Sequence, residues 1–201
     1  MRKYLLKLLA ISITGVFFIS SCEKDETISQ DYIIAGSITD GLIYHDYIPD
    51  DTLYDSQYKS DMSNVERNID INNDGVFDFK FISEYSKSPA HVRASNRIIA
   101  LNNSQIVSVS SSSDIVDTLV QDTRIDANSK WGVNDCLLSY SFYEDYQPDI
   151  VNGLWKKAKN KFIGVRVVTD DNIFYGWIKV EMTNYNITII KKFACTNGAH
   201  K

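Results

Sequence analysis

The chain has 201 residues, with 26 acidic against 21 basic side chains and a formal net charge of −5. An acidic balance offers no electrostatic attraction to nucleic acid or to anionic membrane faces, and it favours divalent cations as partners. The three cysteines form no CxxC pair and no Cys/His cluster, so nothing in their spacing supports a zinc site.

The N-terminus carries Arg2, Lys3 and Lys7, followed by an apolar run from Leu8 to Ile19 that ends in Ile19-Ser20-Ser21-Cys22. Such a run is too short to span a hydrocarbon core of about 30 Å, but it suits the centre of an export signal. The residues before Cys22 resemble the lipobox of bacterial lipoproteins. The resemblance implies a signal peptide at 1–21, cleavage before Cys22, and acylation of its thiol and new amino group by palmitate-type chains. Several acyl chains give firm membrane attachment where one is marginal. An ordinary signal with an incidental cysteine is the plainer reading. Residues 22–30, beginning Cys22-Glu23-Lys24-Asp25-Glu26, are polar and charged and read as an acylated tether. The Lys-acidic-acidic run resembles the export tag of surface lipoproteins in a phylum of glycan-degrading gut bacteria. It implies an outer-membrane anchor with the protein facing the cell exterior; a periplasmic orientation is the alternative. Loss of the three signal cations takes the net charge from −5 to −8, and leaves about 180 residues, enough for one β domain at 31–201.

Helical periodicity is scarce, and short alternating runs are separated by Asn, Asp, Ser and Gly, the pattern of an all-β fold. We expect an antiparallel, jelly-roll-like β-sandwich with a C-terminal meander; a partly open β-barrel is the alternative. The predicted strands are 42–47, 65–71, 76–83, 98–101, 106–110, 137–143, 161–168, 173–182 and 187–194. Residues 114–120 form either a helical turn or an edge strand. The turn-rich 169–172 and 183–186 join the last three strands into the meander. On 173–182, the face carrying Phe174, Gly176, Ile178, Val180 and Met182 is expected to face the core.

Between two of these strands lies Asp70-Ile71-Asn72-Asn73-Asp74-Gly75-Val76-Phe77-Asp78-Phe79. Oxygens at loop positions one, three and five converge on a cation when the chain curls sharply, and Gly75 at position six supplies that turn. Asp70, Asn72 and Asp74 would bind calcium through side chains, Val76 through its carbonyl, and Asp78 directly or through water. Phe81 stands where an EF-hand has its bidentate Glu, so a weak structural calcium site between strands is expected, with Kd on the order of 10⁻⁴ to 10⁻³ M. A metal-free Asn/Asp/Gly turn is the competing reading.

Three landmarks, Ile43-Tyr44-His45-Asp46-Tyr47-Ile48-Pro49-Asp50, the acidic loop, and Phe162-Ile163-Gly164-Val165-Arg166 with Tyr175-Gly176-Trp177-Ile178-Lys179-Val180, together resemble a family of secreted and surface bacterial proteins. Members carry a Tyr-Asp-Pro-Asp segment, a DLNNDGxxDF-like loop and a FIGxRF...YGWIRL hairpin. The resemblance spans about residues 42 to 194 and implies location and architecture rather than an activity. Members often precede a sorting tail; this chain has none after Thr196, so its lipid anchor is expected to serve instead.

A lipid-anchored binding or adhesion module is the expected function, with a glycan or another surface protein as partner and no nucleic acid. A glycan-active hydrolase of a surface polysaccharide system is the alternative. No GxSxG elbow is present, His45, His91 and His200 lack the context of a base, and no catalytic residue is assigned. The paired acids Asp50-Asp51, Glu144-Asp145 and Asp170-Asp171 would need to face one another across a cleft. Trp131, Trp155 and Trp177 are candidates for stacking on sugar rings; packing under a covering loop is the other reading for Trp177. Cys136 and Cys195 are candidates for a disulfide or for buried free thiols. Asp51-Thr52-Leu53 and Asp117-Thr118-Leu119 resemble the O-glycosylation acceptor of exported proteins in the same phylum, which implies modification at Thr52 and Thr118.

Overall fold

The computed structural model describes residues 31–54, 62–144, 150–184 and 187–200. The signal, Cys22 and the tether lie outside them. Among the described residues every regular element is a strand: β1 (Tyr32–Ile34), β2 (Ile43–Leu53), β3 (Met62–Ile69), β4 (Phe79–Lys87), β5 (His91–Ala100), β6 (Gln105–Ile106), β7 (Arg124–Asp126), β8 (Asp135–Glu144), β9 (Ile150–Asn152), β10 (Lys161–Val168), β11 (Asn172–Asn184), β12 (Ile187–Cys195) and β13 (Ala199–His200). The fold is an all-β sandwich with antiparallel sheets and no closed barrel.

One sheet runs β2-β12-β11-β10-β6, with β13 on β11, and the other runs β3-β4-β5-β8-β9. Consecutive strands pair because their connections are short: β3 with β4, β4 with β5, and β10 with β11 with β12, the last three forming the expected meander. Between the sheets, Phe79, Phe81, Ile98 and Leu138 of the five-stranded layer meet Ile163, Ile178, Val180 and Met182 of the six-stranded one. The alternation expected along β11 therefore places Ile178, Val180 and Met182 in this core, with Phe174 packed against it. A buried polar link crosses the layers. Asn96 donates to Ser139 Oγ at 3.1 Å within its own sheet and accepts from Thr188 Oγ1 at 3.1 Å on the opposite one. At the open side, Arg67 of β3 reaches Asp51 of β2 and ties the two edge strands together.

A third layer covers the six-stranded sheet. The pair β1–β7 and the stretch from Val107 to Trp131 lie against its outer face and build a second apolar cluster, in which Ile33, Leu119, Ile125 and Trp131 contact Phe162, Tyr175 and Trp177. Gly164 permits the approach: a Cβ there would stand 2.7 Å from Val107 Cγ2, and its carbonyl accepts the Val107 N–H at 2.8 Å. Within this layer residues 114–120 form no helix, pairing instead through isolated bridges at Ile115, Val116 and Leu119. The expected strand at 106–110 shortens to β6 for the same reason, since Val107 and Ser108 bridge to Trp131 and Val116.

The extra layer corrects the expectation that tryptophans are available to stack on sugar. Trp155 and Trp177 are 0% exposed and Trp131 is 9% exposed. Trp177 meets Phe162 edge-to-face with ring centroids 5.3 Å apart, Trp155 donates to the Val116 carbonyl at 3.2 Å, and Trp131 lies beneath Arg166. All three are packing residues. The disulfide candidate is corrected as well, because Cys136 and Cys195 are free, buried thiols in the main core. Burial pushes the Cys136 thiol up to about 12, and its Sγ donates to the Val133 carbonyl at 3.0 Å; burial also raises the Cys195 thiol. Both behave as small apolar side chains.

Candidate functional site: the acidic loop and the open sheet face

The acidic loop closes the β3–β4 hairpin, whose register ends at Ile69 opposite Phe79. Asn73 and Gly75 take positive φ values of 59° and 89°, which give the sharp curl the spacing predicts. The side chains brace that curl from inside. Asp70 accepts the amide N–H of Asp74 at 3.2 Å and of Gly75 at 2.7 Å, and Asp74 accepts that of Val76 at 2.8 Å. Asn72 Oδ1 accepts from the Asp74 amide at 3.2 Å, while its Nδ2 donates to the Asp74 carboxylate at 2.9 Å. An ionised carboxylate has about four lone-pair sites, so these bonds leave capacity for a cation.

Asp78 behaves differently from its neighbours. It is 3% exposed, its Oδ2 accepts the Ile71 amide at 2.9 Å, and its own amide donates to the Ile69 carbonyl at 2.8 Å. Burial, reinforced by the charges of Asp74 and Asp70, pushes its carboxyl from 3.8 to about 6, although the Ile71 N–H pulls the other way. Ile71, fully buried in the main core, anchors the loop from below, and Leu101 and Asn102 hold it from the side through the carbonyls of Asp78 and Phe77. Among the described residues no three His, Cys, Asp or Glu side chains converge as a ready metal cluster. The donor set is thus carboxylate and amide oxygens in a curled loop, a hard-oxygen chemistry that fits calcium rather than zinc.

The remaining predicted residues are dispersed. Asp50 pairs with Lys191 at 2.8 Å and Asp51 with Arg67, so this acid pair is engaged by cations on two strands. Asp170 and Asp171 are exposed in the β10–β11 turn, and Asp145 lies outside the described residues. His45 stacks on Phe193, and His91 Nδ1 lies 2.9 Å from Ser88 Oγ, which itself accepts the Ala90 and His91 amides and so braces a tight turn. Thr52 is exposed on β2, whereas Thr118 is half-buried.

The five-stranded sheet brings together residues that the sequence pattern did not single out. Along β5 the register directs Arg93, Ser95 and Arg97 to the face opposite Ala94, Asn96 and Ile98; Arg93 is exposed there, Arg97 half-buried and Ser95 covered. Register places Met62, Ser86, Arg93, Phe142 and Ile150 in one row across the sheet, and Asn64, Glu84, Ser95, Tyr140 and Asn152 in the next. The Arg93 guanidinium stands 5.6 Å from the Tyr140 ring centroid, and His91 lies 5.9 Å from Phe142. A recess of about 420 Å³ opens at the β3–β4–β5 end of these rows, lined by Met62, Ser63, Asn64, Glu84, Tyr85, Ser86 and Arg93. The alternation of β5 was the available signal, but a strand predicted only from Ile98 onward cannot display it. Comparison with family models, with curated proteins and with solved structures finds no match.

Proposed function

We propose that this protein is a lipid-anchored surface module that binds a saccharide on the outer face of its five-stranded sheet, with a calcium loop bracing one end of the sandwich. The observation that carries the reading is the recess at the β3–β4–β5 end of that face, where apolar, amide, hydroxyl and charged side chains converge, with Phe142 opposite Arg93 in register and the Tyr140 ring 5.6 Å from its guanidinium. Polyhydroxylated rings need donors and acceptors at their edges and an apolar surface against their C–H faces, and this mixture supplies both. The third layer supports the choice of sheet. It buries one outer face of the sandwich beneath β1 and β7, whereas the five-stranded sheet presents half-buried and exposed polar chains.

Calcium belongs to the same proposal as a brace. Asp70, Asp74 and Asp78 crowd three carboxyls into nine residues, and the Asp78 carboxyl is raised by its burial first and by the charges of Asp74 and Asp70 after it. A divalent cation held by Asp70, Asn72, Asp74, the Val76 carbonyl and Asp78 would relieve it. The anchor through Cys22 would hold the domain at the outer membrane with its binding face free.

Retention on an immobilised polysaccharide panel tests the binding reading. The full chain should be retained by at least one polysaccharide, and a Tyr140→Ala, Phe142→Ala variant with an unchanged melting profile should lose that retention. Retention unaffected by the double substitution would place binding elsewhere, and an absence of retention on every polysaccharide would refute the module.

A further inference from the structure

Among the described residues, the arginines are engaged with one exception. Arg67 pairs with Asp51, Arg97 with Glu84 and Asp135, and Arg124 with Asp126, while Arg166 donates to Gln105 at 2.6 Å. Among the described residues Arg93 has no carboxylate partner, although Glu84 lines the same recess. Glu84 is instead within 3.7 Å of Arg97. Arg93 instead lies over the Tyr140 ring, 5.6 Å from its centroid, and no carboxylate among the described residues meets its N–H fork.

Resting on the binding reading above, we infer that the recess recognises a saccharide bearing a carboxylate, a uronic acid residue, with Arg93 as its specificity-determining contact. The planar fork of an arginine matches the two oxygens of a carboxylate through parallel N–H···O bonds, a match that neither a hydroxyl nor a lysine reproduces. Ser86, opposite Arg93 on β4, and Asn64 on β3 line the same recess and offer both donors and acceptors to ring hydroxyls. The Met62 side chain, 73% exposed at the rim, supplies an apolar contact for a ring face. With a net charge of −5 the chain as a whole offers polyanions no general attraction, which favours recognition by a directed group such as Arg93.

Isothermal titration of the detergent-solubilised full chain with oligogalacturonate and with its carboxyl-reduced, neutral counterpart tests the inference. The acidic oligosaccharide should bind at least about tenfold more tightly, with an affinity that falls as salt is raised. Arg93→Gln should abolish that preference, Arg93→Lys should keep the salt dependence but lose most of the preference, and neither should shift the melting temperature, because Arg93 is exposed. Equal affinity for the two oligosaccharides, or a preference that survives Arg93→Gln, overturns the carboxylate assignment while leaving a saccharide-binding face. Loss of both ligands in Tyr140→Ala would mark that outcome. If neither oligosaccharide binds and no polysaccharide is retained, the binding reading and this inference fall together.

Discussion

Replacing Asp78 with Asn isolates the electrostatic burden of the acidic loop. In the folded protein the carboxyl titrates at about 6 against 3.8 for an unburied aspartate, with burial as the main cause. A carboxyl whose folded pKa is raised favours its protonated form in the fold. Its contribution is therefore most favourable below pH 3.8 and is lost as the pH climbs through 6. Over that interval, at about 1.4 kcal/mol per pH unit, the calcium-free parent loses about 3 kcal/mol that the Asn variant does not lose. For a chain of this size that corresponds to roughly 6–12 °C in melting temperature. Asn retains an acceptor for the Ile71 amide, and the burial of its NH₂ group shifts absolute stability without adding a slope in pH. Urea unfolding of parent and Asp78→Asn protein in chelator, from pH 4 to pH 7.5, should give a stability difference that grows in favour of the variant with rising pH. Millimolar calcium should then stabilise the parent at pH 7.5 by about 1.4 kcal/mol at ten times Kd, and the variant by less. A pH-independent difference would refute the buried-carboxylate argument, and a parent indifferent to calcium would reduce the loop to a turn.

Trp177→Ala, emptying the second apolar cluster, should cost about 3–5 kcal/mol in denaturant unfolding while leaving saccharide affinity within twofold; selective loss of affinity would restore the tryptophan as a ligand platform. Thiol titration should find Cys136 and Cys195 unreactive in the native protein and both reactive in denaturant, whereas a bridged pair would give no reactive thiol in denaturant without reductant. Cys22→Ser should move the protein from the membrane to the soluble fraction and abolish labelling by fatty-acid precursors; retention in the membrane under high salt would contradict the lipid anchor.

Much of the strand content was legible before folding because period-two alternation and turn chemistry are local. Runs such as Phe79–Ile82 and Lys161–Val168 carry their own β-branched and aromatic side chains, and Thr169–Asn172 carries its own turn. The curl of the acidic loop was local too, since Gly75 and the Asx oxygens act on amides two to five residues away. Which side of a strand meets solvent is a different matter. Trp177 lies among residues that read as a solvated face, and only the return of the distant segments 32–35 and 107–131 buries it. The same nonlocality governs Asp78, whose carboxyl is raised because the fold packs it beneath its own hairpin, and Arg93, whose fork lacks an acid because Glu84 is turned to Arg97. Local propensity therefore determined that the chain forms strands and where its sharpest turns lie, whereas strand limits, burial and charge pairing, which depend on residues far apart in the chain, were decided only when the three layers closed on one another.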